Sequence, residues 1–420
     1  MSGPESSATA STQPDERGSN GSVLGQLAAT PRIFVFAAVL LVPGTFAGGI
    51  EVSRWFLISQ VIGAEWGVAV LAVILSLFTA AAGLWAGQFV DSHDPRIVLT
   101  ISYSLSIVST ATTFVLLLSG TPPLWWLLVS TALIGVATGL ALSAVLKIQA
   151  AIVRPGAAGG AEMLNVLRLG IGGVLGAVLV GSIPDLVTTM GILTALISVA
   201  LVLVLIVLRP VHVPRVSRMA SGAGSALEYL KSQDGMRRLV TYDLALTFVL
   251  PTQLVNLVLV GELLQDVASW CIGAGMVGVL LGRAALLLFG FPRNITRFLR
   301  LSMIGLVACQ VASALMLIDN WLLQAPVLMV IDIAVSTVLL TYGQGLLAAT
   351  IQQNLDEAVR GRVSGVVVAA RAVLVSLAAL VAAAISQRWN SEWLLWSLAA
   401  SLTLVIVATR GFSGVRARLA

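Results

Sequence analysis

The chain has 420 residues, of which 58% are hydrophobic and only 10% are charged, and its mean hydropathy is +0.99. Water-soluble domains carry about 25% charged residues, so this composition excludes soluble enzymes, nucleic-acid-binding proteins and disordered scaffolds. Most of the surface must contact lipid instead. The net charge of +5 does not indicate nucleic acid, because the basic residues lie in short loops between apolar runs.

About twelve apolar runs follow a Ser-, Gly- and Pro-rich stretch at 1–32, which predicts a disordered cytoplasmic tail rather than a signal peptide. Each run is long enough to span a bilayer as a helix. We therefore predict an all-α membrane protein with two six-helix bundles at 33–208 and 239–410, a cytoplasmic linker at 209–238 and a cytoplasmic tail at 411–420. The predicted spans are 33–60, 65–86, 97–119, 123–146, 161–182, 189–208, 239–261, 267–290, 298–318, 322–347, 362–386 and 392–410.

Basic residues label one side of the membrane. One alternating set of loops holds nearly all of them, whereas the opposite set holds only Arg388 together with several acids. By the positive-inside rule, both termini are cytoplasmic and the protein is a multi-pass protein of the cell membrane. Tryptophans at the other helix ends agree with this orientation, as an interfacial belt: Trp66, Trp125, Trp126, Trp270, Trp321, Trp389 and Trp393.

The loop after the second span reads Gly-Gln-Phe-Val-Asp-Ser-His-Asp-Pro-Arg over 87–96. Glycine permits close approach of a helix end, and Asp with Arg can form a breakable latch near a helix terminus. The loop resembles the G-x-x-x-D-(R/K)-x-x-R-R signature of the major facilitator superfamily at Gly87, Asp91 and Arg96, with Ser92 and Pro95 in place of basic residues. This resemblance implies two bundles around a central cavity that opens alternately to either side.

A second stretch, QQNLDEAVRGRV at 352–363, resembles the loop before the eleventh helix in the multidrug and siderophore exporter branch of that superfamily. The resemblance adds Arg360 and Arg362 to Gly87, Asp91 and Arg96 as a candidate cytoplasmic gating motif. The glycines of the fifth span also resemble the antiporter motif of that branch, although Ala177 replaces its proline; ordinary close helix packing is the alternative. The fourth span lacks the arginine of many drug–proton antiporters, and Lys147 is the candidate substitute.

Charged residues inside the spans are the main candidates for function, because each must pair or face water. Glu51 and Arg54 lie three residues apart on one face of the first span, where they can pair with each other. Glu51 is also the first candidate for a proton or substrate site, since burial favours its protonated form. For Arg168, in the fifth span, the sequence indicates no obvious partner.

Two further pairs are expected in the second bundle. Asp332 and Arg371 both come close to the bilayer midplane, which makes an ion pair between the tenth and eleventh spans a concrete hypothesis. Asp243 and Arg283 lie near the inner ends of the seventh and eighth spans and form a second candidate pair. Each pair has the alternative role of simply fastening helices together. The tenth span also carries a polar run expected to line the cavity: Ser336, Thr337, Thr341, Tyr342 and Gln344.

The resemblance implies a secondary active transporter that exports a small amphipathic compound, such as a drug, siderophore or secondary metabolite, in exchange for protons. The alternatives are a metabolite importer or lysolipid transporter of the same fold and, more remotely, a non-transporting membrane sensor. The expected partners are a small-molecule substrate, protons and the lipid bilayer, with the protein as a monomer. No catalytic, cofactor or metal site is expected, because His93 and His212 lie outside the spans and no phosphate-binding loop is present.

Overall fold

The computed structural model describes residues 32–62, 64–152, 158–183, 185–208, 223–263, 265–289, 295–318, 326–355 and 357–388, which contain helices and no strand. The predicted twelfth span at 392–410, residues 1–31, the tail at 411–420 and residues 209–222 of the linker lie outside these ranges. The helices are α1 (Arg32–Ile62), α2 (Ala64–Ser92), α3 (Pro95–Ser119), α4 (Leu124–Ile152), α5 (Ala158–Ser182), α6 (Leu186–Val207), α7 (Ala223–Ser232), α8 (Asp234–Leu263), α9 (Gln265–Phe289), α10 (Ile295–Ile318), α11 (Pro326–Asn354) and α12 (Glu357–Arg388).

Eleven predicted spans correspond to long helices, α1–α6 and α8–α12, while the short α7 lies in the predicted linker. Eight of these helices contain segments long and apolar enough to cross a membrane. Three helices continue several residues past the end of the predicted span: α2 to Ser92, α4 to Ile152 and α11 to Asn354. We use "basic face" for the side at which α1 begins and α2 ends, and "opposite face" for the other.

Glycines bring α1 and α5 into direct backbone contact. A Cβ on Gly172 would meet the backbone of Gly44 and Thr45, and a Cβ on Gly48 would meet that of Gly173. The glycines of the fifth span therefore serve close packing against α1, as small residues do between membrane helices. We call this contact the glycine seam.

The two halves of the chain repeat the same helix contacts. In the first half, the Thr79 hydroxyl of α2 donates a hydrogen bond of 3.1 Å to the Gly135 carbonyl of α4. In the second half, Gly282 of α9 lies against the Val338 carbonyl of α11. Each residue of the second contact lies 203 positions after its counterpart in the first (282 − 79 and 338 − 135). The structure thus contains an internal repeat with an offset of 203 residues.

Small residues join the first half to the second. Between α2 and α12 the contact includes alanines, glycines and Val368, and between α5 and α9 the Arg283 side chain lies against the glycine at 170. These contacts lie in the half of the membrane toward the basic face, because they fall late in α2 and α9 and early in α12. The small residues at these contacts are Ala80, Gly83, Gly170, Gly365, Ala369 and Ala372.

Asp185 caps the N-terminus of α6 at the opposite face. Its hydrogen bonds are expected to make part of the free energy of unfolding depend on pH. Its carboxylate accepts hydrogen bonds from the backbone N–H groups of Val187 (3.2 Å) and Thr188 (2.8 Å) and from the Thr188 hydroxyl (2.6 Å). These bonds hold the pKa of Asp185 below its usual range, the Thr188 hydroxyl contributing most. A lowered folded-state pKa stabilises the fold above about pH 4, and this contribution is lost as pH falls through the lowered pKa.

Asp185→Asn should therefore remove this acid-sensitive component, because asparagine still caps the helix but does not titrate. Thermal unfolding of purified protein between about pH 6 and pH 3 checks the prediction. The melting temperature of the wild type should fall more steeply with acid than that of the variant. Parallel curves for the two proteins would contradict it.

Candidate functional site

Asp243 and Arg371 form an ion pair inside the second half. The Arg371 Nε donates to Asp243 Oδ2 and the Nη2 donates to Oδ1, both at 2.5 Å, which is a bidentate side-on geometry. The Asp243 carboxylate is completely buried, whereas the Arg371 side chain is 32% exposed. The pair joins α8 to α12, so one member is sealed in the bundle and the other reaches its surface.

The predicted Asp332–Arg371 pair is wrong. The Asp332 carboxylate instead accepts a hydrogen bond from the Ser313 hydroxyl of α10. The physical reason is helix adjacency, because α12 packs on α8 while α11 packs on α9 and α10. A similar depth along the membrane does not make two helices neighbours.

Arg283, the predicted partner of Asp243, lies at the junction between the halves. Its Cδ packs against Gly170 of α5, where a Cβ would come within 2.9 Å of it. Asp243 is occupied by Arg371, so the structure replaces both predicted pairs by one pair that neither hypothesis named. Arg283 is therefore placed where the two halves meet rather than inside one of them.

Glu51 and Arg54 do not pair with each other. Arg54 is buried between α1, α3 and α4, and its Nη2 donates to the Ser109 hydroxyl and to the Ser130 carbonyl, both at 2.9 Å. Glu51 is exposed on α1. Three residues on a helix leave an angle of about 60° between side chains, which lets Arg54 point into the bundle while Glu51 does not.

Arg168 occupies the position in the first half that Arg371 occupies in the second. Its Nη1 donates to the Leu40 carbonyl of α1 at 2.8 Å, and its Nε and Nη2 donate to the Asn165 side chain. Leu40 and Asp243, like Arg168 and Arg371, differ by 203 positions, and both contacts link residues 128 apart. Sequence reasoning missed the Leu40 carbonyl because a backbone group leaves no signal in the residue type, whereas Asn165, three residues before Arg168 on the same helix, was a partner that the sequence offered.

The buried charges differ in sign between the halves. Among the side chains that the structure describes, the charged ones that are buried are Arg54 and Arg168 in the first half and Asp243 and Asp332 in the second. Two positive groups thus lie inside one bundle and two acidic groups inside the other, and only Asp243 has a basic partner there. The arrangement places the ionisable acids of the core in the second half.

The candidate gating motif is described in part. Asp94 begins α3, where its carboxylate accepts from the backbone N–H of Arg96 at 3.0 Å and lies 3.4 Å from the Arg96 Nε. Lys147 of α4 donates to the Val90 carbonyl in the last turn of α2, a favourable place for a cation at a helix C-terminus. The surroundings of Gly87 and the side chains of Asp91, Arg360 and Arg362 lie outside the described part.

The polar run of the tenth span packs mainly against a neighbouring helix. Thr337 and Thr341 are buried on α11 against Gly278 and Gly282 of α9, and the lining of a cavity by this run stays a prediction. The Tyr342 ring packs on that of Phe298 of α10, with 4.8 Å between ring centroids. In the described ranges, no group of three or more His, Cys, Asp or Glu residues could hold a metal ion.

Comparison with known families agrees with the resemblance of the signature loop. The family model described as the Major Facilitator Superfamily matches residues 41–379. The chain belongs to this superfamily. A search of curated proteins finds no matching relative. The chain therefore has the transporter fold of the superfamily, and the match does not distinguish the exporter branch.

Solved structures of transporters are similar over nearly the whole chain. The human organic anion transporter MFSD10 (TETRAN) superimposes with a TM-score of 0.69 and 17% identity, covering 91% of this chain and 99% of that one. A bacterial homologue of the iron transporter ferroportin in an outward-facing state gives 0.63 and 15%, covering 89% and 98%. The proton:xylose symporter XylE, bound to 6-bromo-6-deoxy-D-glucose, gives 0.65 and 14%, covering 91% and 96%. At these identities the likeness shows the fold alone.

Proposed function

We propose that the protein is a secondary active transporter that exports a small amphipathic compound in exchange for protons, with the basic face on the cytoplasmic side of the cell membrane. The observation that carries the proposal is the Asp243–Arg371 pair, whose acid is sealed inside the second half while its base is partly exposed. Ionisable residues inside membrane-spanning helices mark ion or substrate pathways in membrane proteins. Export rests on the resemblance of 352–363 to the exporter branch.

In the proposed cycle, proton binding at the Asp243–Arg371 pair drives the change between the two conformations of the transporter. Protonation of Asp243 removes the negative charge that holds the Arg371 guanidinium, so Arg371 can then turn toward the cargo or the water around it. Loss of the proton restores the bidentate contact between α8 and α12. Because the two states differ in how tightly α12 is held, proton binding biases the position of a helix that also contacts α2 of the other half. Glu51, which is exposed on α1, is a second place for a proton or for a cationic group of the cargo.

Purified protein in liposomes with an imposed pH gradient tests the coupling. Addition of a transported compound should collapse the gradient in wild-type vesicles, and Asp243→Asn should reduce this proton flux at least ~10-fold, because asparagine cannot exchange the proton. The panel is ethidium, an anionic dye and a lysophosphatidylcholine, which separates export of drug-like compounds from lysolipid movement. A pH-sensitive dye inside the vesicles reports the flux.

Asp234→Asn is the matched control, since Asp234 lies on the same helix but is exposed at the basic face in an ion pair with Arg237. It should leave the flux unchanged. A transport rate that is the same with and without the pH gradient would refute proton coupling. Binding of the panel without any flux would favour the sensor, and flux only into the compartment that represents the cytoplasm would favour an importer.

A further inference from the structure

One nitrogen of the buried Arg54 guanidinium has no hydrogen-bond partner in the described part of the chain. Arg54 is 4% exposed, and its Nη2 is satisfied by the Ser109 hydroxyl and the Ser130 carbonyl. Its Nη1 is buried and has no hydrogen-bond partner. Arginine carries five N–H donors and no acceptor and stays charged in proteins, so the donors of Nη1 cannot be removed by losing a proton. The group keeps a positive charge that its surroundings do not balance.

An unbalanced charge at this place is costly. Arg54 lies in the part of α1 that is long and apolar enough to cross the membrane, where an unpaired ion loses hydration free energy that only a counter-charge or strong hydrogen bonds restore. In the described ranges no carboxylate lies within salt-bridge distance of it, and Glu51 is exposed elsewhere on α1. The other buried charge of the first half, Arg168, is also positive. The interior of this half therefore attracts anions and repels cations.

Buried hydroxyl groups lie along the helix that contacts Arg54. Along α3, buried serines and threonines recur about once per helical turn, and the Trp126 indole of α4 donates to the last of them at 3.0 Å. Ser109, in the middle of this line, contacts Arg54 directly. The Ser109 hydroxyl donates its proton to the Ser130 carbonyl at 3.0 Å, and that carbonyl also accepts from Arg54 Nη2, so the hydroxyl can turn to an anion without leaving the carbonyl unbonded. The residues of this line on α3 are Ser102, Ser106, Ser109, Thr110 and Thr113.

We propose that Arg54 is the centre of a binding site for a small monovalent anion of the size of chloride, held by the Arg54 Nη1 and by the Ser109 hydroxyl. The anion is a separate ligand of the first half and not the cargo, because Nη1 is buried from solvent in this conformation. Its charge balances Arg54 and stabilises the packing of α1 on α3 and α4. The site is independent of proton exchange at Asp243.

Thermal unfolding of the purified protein tests the site without any transport measurement. The wild type is titrated with sodium chloride while sodium gluconate keeps the ionic strength constant, because gluconate is too large for a buried site. Chloride at tenfold its dissociation constant should raise the melting temperature by about 1.5 °C relative to gluconate. Bromide should act like chloride. Equal melting temperatures in chloride and gluconate would overturn the proposal.

Variants locate the effect. Arg54→Gln should abolish the chloride response, and Ser109→Ala, which keeps the arginine, should raise the apparent dissociation constant about tenfold. Arg168→Gln is the matched control, because its Nε, Nη1 and Nη2 each have an acceptor in the structure; it should keep the chloride response. If Arg54→Gln does not fold, the Ser109→Ala titration decides. A response that is the same in Ser109→Ala and wild type, or that disappears in Arg168→Gln but not in Ser109→Ala, would contradict the site.

The outcome is separate from the proposed export. A protein that fails to exchange protons for cargo would still show the chloride effect if the site exists. An active exporter without a chloride effect would lack the site and keep its function. If a cargo that carries a carboxylate raises the affinity for chloride, the two ligands bind at separate places, as proposed. If the cargo competes with chloride at Arg54, the site belongs to the cargo and the proposal is refuted.

Discussion

Arg371→Gln is expected to destabilise the protein by about 3–5 kcal/mol, the cost of leaving a buried carboxylate without its partner. Asp243 is completely buried and receives its two short hydrogen bonds from Arg371. Without the guanidinium, the acid must either stay ionised in a medium of low polarity or take up a proton. Unfolding of purified protein in mixed micelles, followed by tryptophan fluorescence, measures the loss.

Asp243→Asn should cost less than Arg371→Gln, although it breaks the same pair. The Arg371 side chain is 32% exposed, so the arginine left behind reaches water or lipid headgroups, whereas Asp243 cannot. The double variant Asp243→Asn/Arg371→Gln should recover to within about 1–2 kcal/mol of wild type, since no uncompensated charge remains. A double variant as unstable as the sum of the single ones would show that the pair does not act as a unit.

Gly176→Leu is expected to prevent the first half from assembling. A Cβ on Gly176 would collide with the Thr45 carbonyl and with the backbone nitrogen of Gly49, and neither backbone atom can move aside as a flexible side chain would. The larger side chain must therefore push α1 away from α5, which removes the glycine seam and separates Arg168 from Leu40. Expression followed by size-exclusion chromatography should show aggregated or degraded protein.

Gly173→Ala is the matched control, because it lies three residues away on the same helix and a Cβ there meets nothing within 4 Å. It should behave as wild type, or be slightly more stable because alanine has a lower conformational entropy in the unfolded chain. A folded, monodisperse Gly176→Leu protein would mean that α1 and α5 tolerate a wider separation. Loss of folding in Gly173→Ala would mean that the whole of α5 is sensitive, for another reason.

The apolar runs were enough to predict the helices. Eleven spans correspond to long helices because a run of about twenty apolar residues in lipid has no other way to satisfy its backbone. The superfamily was also predictable, since Gly87, Asp91 and Arg96 stand at fixed spacing in a loop between two spans. Both signals are local in sequence, so neither depends on how the helices pack against one another.

The contacts of the charged residues were not predictable in the same way. Asp332 was assigned to Arg371 from depth alone, but depth is one coordinate and pairing also needs the lateral order of the helices, which brings α8 to α12. Arg168 binds a carbonyl of α1, and Arg54 a hydroxyl of α3, partners that occur in every span and single out none. The 203-residue repeat relates the contacts of Arg168 and Arg371. Arg371 is the equivalent of Arg168 in the second half, and Asp243 is the equivalent of Leu40.

The small residues at the junction of the halves have a mechanical consequence. Within each half, an arginine joins two helices by hydrogen bonds: Arg168 joins α5 to α1, and Arg371 joins α12 to α8. These bonds oppose a change in the packing inside each half. Between the halves, Ala80 meets Ala369 and Ala372, and methyl groups bury little area, so the apolar free energy lost on separating each one is of order 1 kcal/mol. Because these small side chains also let α2 and α12 approach each other closely, we expect one half to move relative to the other by sliding along this contact, with each half moving as a unit.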